Sequence, residues 1–232
     1  LNIFKMCIHI NEMGGDLMDK KREEIIKLLP KEIRKLFMMS EIDFSRLQEI
    51  RLRVNMPLIV VYGAKEYFIS CTGKPVSEIK EAYRVTCQQI KEAMVYISSY
   101  SRYAFEDEIR QGFITVEGGH RVGVAGRIIW DGGKIKSITY ISFINIRISH
   151  EVIGCSDSVI GYLYNDDSFY NTLIISPPRC GKTTLLRDIV RSIANGNAGS
   201  RGRTVGIVDE RSEISACHLG CPQNNIGCRT DV

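Results

Sequence analysis

The residues best suited to carry out chemistry lie in one short run in the last third of the chain. A phosphate-binding loop has a glycine, four further residues and then Gly-Lys-Ser/Thr, between a strand and a helix. Here Ser176 stands in place of the first glycine, and the rest of the pattern is intact. The sequence therefore predicts a nucleotide-binding P-loop made of Ser176, Pro177, Pro178, Arg179, Cys180, Gly181, Lys182, Thr183 and Thr184.

Each residue type in this loop suits the binding of ATP and Mg²⁺. Backbone N–H groups at the start of the following helix point at phosphates, and the helix dipole favours negative charge there. Lys182 is predicted to reach the β- and γ-phosphates, and the Thr183 hydroxyl to ligate Mg²⁺. The alternative is a chance Gly-Lys-Thr at a helix start. The apolar segment before the loop and the helical pattern after it disfavour that alternative.

Two acidic residues, Asp209 and Glu210, follow the next apolar segment. They resemble a Walker B element, in which Asp holds magnesium and Glu polarises water. Ligands bind at that edge of open α/β sheets. We therefore predict Lys182, Asp209 and Glu210 as catalytic residues. The alternative is that the pair caps a loop, and spacing alone does not separate a Walker B from another acidic element.

The segments around the P-loop predict the first βαβ part of a P-loop NTPase domain. Residues 171–175 and 204–208 are short apolar runs, typical of buried strands. Between them, Asn195-Gly196 predicts the end of the helix. The apolar stripe of that helix is Leu185, Leu186, Ile189, Val190 and Ile193.

Residues 18–150 predict an α+β domain. Pro30 should separate two short helices, and Thr86 with Gln89 fits a capping box at the start of a third. Residues 50–54 alternate between apolar residues and arginine, which is typical of a half-buried strand. A β-meander is predicted over residues 113–117, 121–131 and 134–148, with turns at Gly118-Gly119 and Gly132-Gly133.

The predicted organisation has four parts. Residues 1–17 are interpreted as a disordered leader or a wrongly assigned start, with Leu1 and Met18 both open as the true start. Residues 18–150 form the α+β domain, 151–170 a linker, and 171–232 the N-terminal part of an incomplete α/β P-loop domain.

Composition and charge indicate which partners, which compartment and which metal to expect. The chain has 232 residues and a net charge of +4, so nucleic acid is an unlikely partner. Its eight cysteines are scattered, which favours reduced thiols in the cytoplasm. No apolar run approaches the roughly 18 residues needed to span a bilayer. A cluster near the end does not match zinc-site spacing, so no zinc is expected at Cys217, His218, Cys221 and Cys228.

Five motifs, spread from about Pro30 to Val232, resemble the stage III sporulation protein AA family. They are LQEIRLR at 47–53, YAFEDEIRQG at 103–112, GGHRVG at 118–123, the P-loop and helix start at 176–188, and VDERSEI at 208–214. Ser176 in place of glycine also fits that family.

The resemblance implies a mother-cell ATPase that energises a channel between mother cell and forespore. Its partners would be copies of itself, as in the hexameric type II and type IV secretion ATPases, and membrane proteins of the channel, at which it would sit peripherally. By that comparison Asp209, Glu210 and Glu213 form the acidic box that supplies the general base. The family continues into a true Walker B, so the chain resembles a truncated member. We expect residues 1–232 alone to be aggregation-prone and inactive.

Two other functions stay open. A nucleic-acid-dependent ATPase would use the arginines of the meander, and a nucleotide-gated scaffold would bind ATP without turnover. The arginines concerned are Arg102, Arg110, Arg121, Arg127 and Arg147. They are also candidate contacts to a neighbouring subunit's nucleotide, although most surface arginines are merely solvated.

Overall fold

The computed structural model describes residues 15–63, 65–98, 112–165, 168–177, 180–197 and 200–232. The described chain divides into two compact units, Gly15–His150 and Glu151–Val232. Of the predicted leader, only residues 15–17 are described, and they begin the first helix. The predicted linker 151–170 belongs to the second unit. The motif at 103–112 lies outside the described residues.

Among the described residues of the first unit, three α-helices are present: α1 (Gly15–Leu28), α2 (Lys31–Met39) and α3 (Cys87–Ile97). The two predicted helices around Pro30 are confirmed, with Pro30 at the N-cap of α2. The fixed φ and missing N–H of proline are tolerated there. The capping box is also confirmed, because Thr86 Oγ1 accepts from Gln89 N at 3.2 Å and Thr86 N donates to Gln89 Oε1 at 3.0 Å.

Seven antiparallel strands form the sheet of this unit, in the order β4-β3-β2-β1-β7-β6-β5. The meander is confirmed, and it joins the first strands through pairing of β1 with β7. Ile50 and Leu52 of β1 are fully buried in one core with the helices, while Arg51 and Arg53 lie on the other face. The strands are β1 (Leu47–Arg53), β2 (Ile59–Tyr62), β3 (Lys65–Ile69), β4 (Pro75–Val76), β5 (Phe113–Thr115), β6 (Arg121–Asp131) and β7 (Lys134–Arg147).

Strands β6 and β7 run beyond their neighbours as a two-stranded ribbon, residues 126–140. β1 pairs with β7 only at residues 143–147, and β5 pairs with β6 only at 121–123. The turn is Gly132-Gly133, with φ of 57° and 79°. Two successive positive φ angles suit a tight hairpin turn, which explains why both residues are glycine.

A buried polar cluster lies where α1 meets the sheet. The His120 ring is fully buried, and its Nδ1 accepts from Ser149 N at 3.1 Å. Its Nε2 lies 3.8 Å from Glu24 Oε2. Burial, with the nearby charge of Lys21 and the ring of His150, lowers the pKa of His120 to about 3. The folded unit therefore holds His120 neutral.

The described part of the second unit contains one long helix, α4 (Lys182–Asn195), and several two-residue strands. The helix ends before Gly196 as predicted, with φ of 81° at that glycine. Val205 and Gly206 pair in parallel with Thr230 and Asp231. The short strands are β8 (Tyr164–Asn165), β9 (Ser168–Phe169), β10 (Gly196–Asn197), β11 (Ser200–Arg201), β12 (Val205–Gly206) and β13 (Thr230–Asp231).

Two strand predictions for this unit are wrong. Residues 171–177 form no strand, and Leu173 and Ile175 are both 81% exposed. The strand predicted at 204–208 shortens to β12, and Val208 is 98% exposed instead of buried. A strand persists only where a neighbour takes up its N–H and C=O groups, and the described residues offer 171–177 no such neighbour. The predicted βαβ unit is therefore not formed among them.

The neutral His120 predicts acid sensitivity of the first unit. The unfolded chain binds a proton at this ring near pH 6.5, but the folded chain binds it only near pH 3. Its contribution to the free energy of unfolding should therefore fall as pH drops from 6.5, by about 1.4 kcal/mol per pH unit. Burial raises the pKa of Glu24, so the titration of Glu24 stabilises the folded unit as the pH falls and opposes the effect of His120. Urea unfolding between about pH 4 and 7 measures the slope.

The variant His120→Gln should show a flatter pH dependence, because only its titration is removed and the amide oxygen can still accept from Ser149. His150 also has a lowered pKa, so some slope remains. A matched control is His218→Gln in the second unit. Equal slopes for His120→Gln and the unchanged chain would contradict the prediction.

Candidate functional site

The predicted P-loop leads directly into α4. Gly181 is the N-cap residue in the left-handed region, with φ of 79° and ψ of 17°. Only glycine adopts this conformation without strain. The first helical bond runs from Leu185 N to Gly181 O at 2.8 Å, so the amides before Leu185 have no acceptor within the helix. Amides in this position at a helix start are the donors that commonly bind anions in proteins.

The Lys182 side chain folds back over the loop. Its Nζ donates to the carbonyl oxygens of Ser176 at 2.8 Å and Pro177 at 3.0 Å. The ammonium group is thereby held beside the helix start by neutral acceptors. Cys180 is exposed, while Pro178 and Arg179 lie outside the described residues.

Two residues of the predicted P-loop share one cavity of about 370 Å³ with the acidic residues. Lys182 and Thr183 line it from α4, and Asp209 and Glu210 line it from the loop after β12, together with Glu213. This volume lies within the range of small-molecule pockets, roughly 300 to 1,000 Å³. The structure therefore brings together the three residues predicted as catalytic and the predicted magnesium ligand. The apolar lining residues are Ile174, Leu186, Val208 and Ile214.

Asp209 is engaged by its own loop. Its Oδ1 accepts from Glu213 N at 2.8 Å, and its Oδ2 accepts from Ile214 N at 3.0 Å and from Ser215 N and Oγ at 2.9 and 2.7 Å. Burial alone would raise the pKa of Asp209, but these donors lower it below its ordinary value. A carboxylate stabilised in this way is a weak base. Among the two predicted acids, Glu210 is the exposed one.

Two neighbouring residues of α4 fix the helix to different segments. Arg187 donates through Nε to Ile214 O and through a terminal nitrogen to Glu213 O, each at 2.8 Å. Asp188 is 4% exposed and accepts from Ser156 N and Oγ at 2.8 and 2.7 Å. It also accepts from Arg191 Nε at 2.7 Å. Arg187 therefore secures the acidic loop, and Asp188 secures the segment that precedes the P-loop.

The cysteine-rich end has backbone structure of its own. His218 and Cys221 exchange two backbone hydrogen bonds of 2.9 Å, and Cys228 N donates to Asn195 Oδ1 at 2.9 Å. Within the described residues, no three His, Cys, Asp or Glu side chains are grouped so as to hold a metal ion.

Comparison with known proteins identifies the family. The family model described as sporulation stage III, protein AA matches residues 19–232. The stage III sporulation protein AA of Bacillus subtilis (strain 168) is 37% identical over 210 residues. The chain belongs to the stage III sporulation protein AA family. The resemblance found in the five sequence motifs is thereby confirmed.

The aligned region covers 90% of this chain and 64% of the Bacillus relative. The chain therefore spans less than two thirds of the length of that relative. The name of the relative assigns it to stage III of sporulation and does not mention catalysis. Among the described residues of this family member, no helix is long and apolar enough to cross a bilayer.

Sequence reasoning missed the roles of Arg187 and Asp188, although both stand in a family motif. A signal was present: Asp188 and Arg191 are three residues apart, which places opposite charges side by side on a helix. The partners at 154–156 and 213–214 are distant in sequence, and no local pattern indicates them.

We expect Asp209→Ala to loosen the acidic loop. Three amides and one hydroxyl would lose their acceptor, which costs about 2 kcal/mol for hydrogen bonds to a partly exposed charged group. Hydrogen exchange at Glu213, Ile214 and Ser215 should therefore become faster.

The matched control is Glu210→Ala, which removes the adjacent carboxylate without removing those bonds. Unchanged exchange in Asp209→Ala, or equal acceleration in both variants, would show that Asp209 does not organise the loop.

Proposed function

We propose that this chain carries the nucleotide-binding site of an ATPase that acts in sporulation. The observation that carries the proposal is the shared cavity of Lys182, Thr183 and Glu210 at the N-terminus of α4. A lysine, a hydroxyl and unsatisfied helix amides on one side, with carboxylates on the other, suit a magnesium nucleotide. Family membership supports the sporulation role.

Different residues of the cavity would bind different parts of the magnesium nucleotide. Lys182 would exchange the carbonyls of Ser176 and Pro177 for phosphate oxygens, so its charge would be compensated more strongly than now. The amides at the start of α4 would donate to phosphate oxygens, and the Thr183 hydroxyl would ligate Mg²⁺. Bound ATP would supply the γ-phosphoryl group for transfer to water, with ADP as the leaving group and Mg²⁺ neutralising phosphate charge.

The acidic loop would position the water. Asp209 is engaged by four donors, so we assign it the role of holding the loop in shape. Glu210 and Glu213 line the same cavity and are the candidates for polarising water. This division refines the sequence prediction, in which Asp209 and Glu210 were both catalytic.

The partners follow from the family resemblance. We propose a homo-oligomer, hexameric as in secretion ATPases, that associates peripherally with membrane proteins of a mother-cell-to-forespore channel. Two arginines considered as contacts to a neighbour's nucleotide have partners within the chain. Arg147 Nε donates to Glu49 Oε1 at 3.4 Å, and the Arg121 guanidinium lies 5.0 Å from the centre of the Phe113 ring.

We expect Lys182→Ala to weaken ATP binding about a hundredfold in the full-length protein, because the ammonium contact with the phosphates is removed. Isothermal titration calorimetry with magnesium and a non-hydrolysable ATP analogue measures the affinity. Lys91→Ala, at an exposed position of α3, is the matched control and should bind normally. Unchanged affinity in Lys182→Ala would reject the P-loop.

ATP hydrolysis has to be measured separately from ATP binding. We expect the full-length protein to hydrolyse ATP only with magnesium and Lys182, and Glu210→Gln to lower kcat about a hundredfold at unchanged affinity. Glu81→Gln, an exposed glutamate of the first unit, serves as the control. If the full-length protein binds ATP without turnover, the motor is excluded and the nucleotide-gated scaffold is favoured.

A further inference from the structure

The ribbon of residues 126–140 leaves the sheet at a position that requires glycine. The register of β6 against β7 shifts between Ala125 and Arg127: Gly126 alone separates these two residues, whereas three residues, 140–142, separate their partners on β7, so β7 bulges opposite Gly126. A Cβ at Gly126 would lie 2.6 Å from Thr139 O and 3.0 Å from Ile141 Cα. Any side chain there would separate the two strands. The ribbon is therefore an extension of the sheet that begins at a specific residue, Gly126.

Large apolar side chains are exposed on this ribbon. Trp130 is 64% exposed and Tyr140 is 80% exposed, and Ile128 and Ile129 are exposed beside Trp130. Ile128 and Trp130 lie opposite Ile138 and Ile135 across the ribbon. Along β6, Ile128 and Trp130 share one face and Ile129 lies on the other, so both faces of the outer part of the ribbon expose large apolar side chains. Several exposed apolar side chains at one end of a ribbon mark an interaction surface, whereas single ones do not.

The net charge of the ribbon indicates the kind of partner that it would bind. Residues 127–136 contain three basic residues and one acidic residue. The acidic residue, Asp131, is paired with Lys136 at 2.9 Å, and both side chains are more than half exposed. The uncompensated charge of the ribbon is therefore positive, and an anionic partner is favoured.

Tryptophan, tyrosine and basic residues together suit the headgroup region of a membrane. Aromatic rings with a polar edge concentrate at that depth, and basic side chains extend to lipid phosphates. A second copy of the chain suits the ribbon less well. The shift between Ile129 and Trp130 and the basic residues disfavour edge-to-edge pairing of strands.

We propose that the ribbon docks this protein on an anionic lipid surface, with Trp130, Ile128 and Ile129 inserted among the headgroups. The inference names a surface for the peripheral membrane association proposed above and rests on that association. It is independent of nucleotide binding and is tested without nucleotide.

Trp130 is the single tryptophan of the chain, so its fluorescence reports on the ribbon directly. The 232-residue chain, freed of aggregates by gel filtration, is mixed with vesicles of phosphatidylcholine, or of phosphatidylcholine and phosphatidylglycerol in equal amounts. We expect a blue shift and less quenching by acrylamide with the anionic vesicles only. Lipids with brominated acyl chains should quench Trp130 in the unchanged chain.

The variant Ile129→Ser/Lys136→Gln retains the reporter and loses one apolar and one basic group. It should need about tenfold more anionic lipid for half-maximal shift. Ile79→Ser, an exposed isoleucine elsewhere in the first unit, is the matched control and should bind as the unchanged chain does.

Three results would overturn the proposal. The first is no spectral change with anionic vesicles. The second is vesicle binding with Trp130 still open to acrylamide, which would assign the membrane contact to another surface and leave the association itself intact. The third is a concentration-dependent blue shift without lipid, which would identify a second copy of the chain as the occupant.

Discussion

The second unit depends on the buried carboxylate of Asp188. This unit has no broad sheet among its described residues, so its one long helix needs another means of fixation. Asp188 supplies it by accepting hydrogen bonds from Ser156 and Arg191. Burial would raise its pKa, but the bonds from Arg191 and Ser156 outweigh that effect and lower it. Such a carboxylate stays charged and holds its partners firmly, since an unpaired buried charge costs several kcal/mol.

Asp188 and Arg187 together define the geometry of the cavity. Consecutive side chains on an α-helix point about 100° apart, so adjacent residues reach different segments of the chain. Asp188 reaches the segment before the predicted P-loop, and Arg187 reaches the carbonyls at 213–214. The helix start that bears Lys182 is thereby set against the acidic loop through side-chain contacts. A displacement of either segment would change the distance between lysine and carboxylates.

The sequence predicted best those features whose signals are local. Pro30 marks a helix start, Thr86 and Gln89 form a capping box, and Gly132-Gly133 forms a hairpin turn, because each signal acts within a few residues. Features that depend on distant partners were not predictable. Residues 171–175 have strand-like composition but no paired neighbour, and the pairing of β1 with β7 joins residues far apart in sequence. At the site, the motif indicated Lys182 and Thr183. The hydrogen bonds that Asp209 accepts depend on the position of the amides of residues 213–215. The hydrophobic periodicity of the sequence does not indicate that position.

The position of β1 in the centre of the sheet has a consequence for biosynthesis. β1 leaves the ribosome early, but one of its two neighbours, β7, is synthesised last in the first unit. At ribosomal speed, about 90 intervening residues take roughly 5 to 20 s. During that interval, one edge of β1 is unpaired, and the apolar side chains of Ile50 and Leu52 are not yet fully buried. The sheet of the first unit is therefore completed only when β7 emerges.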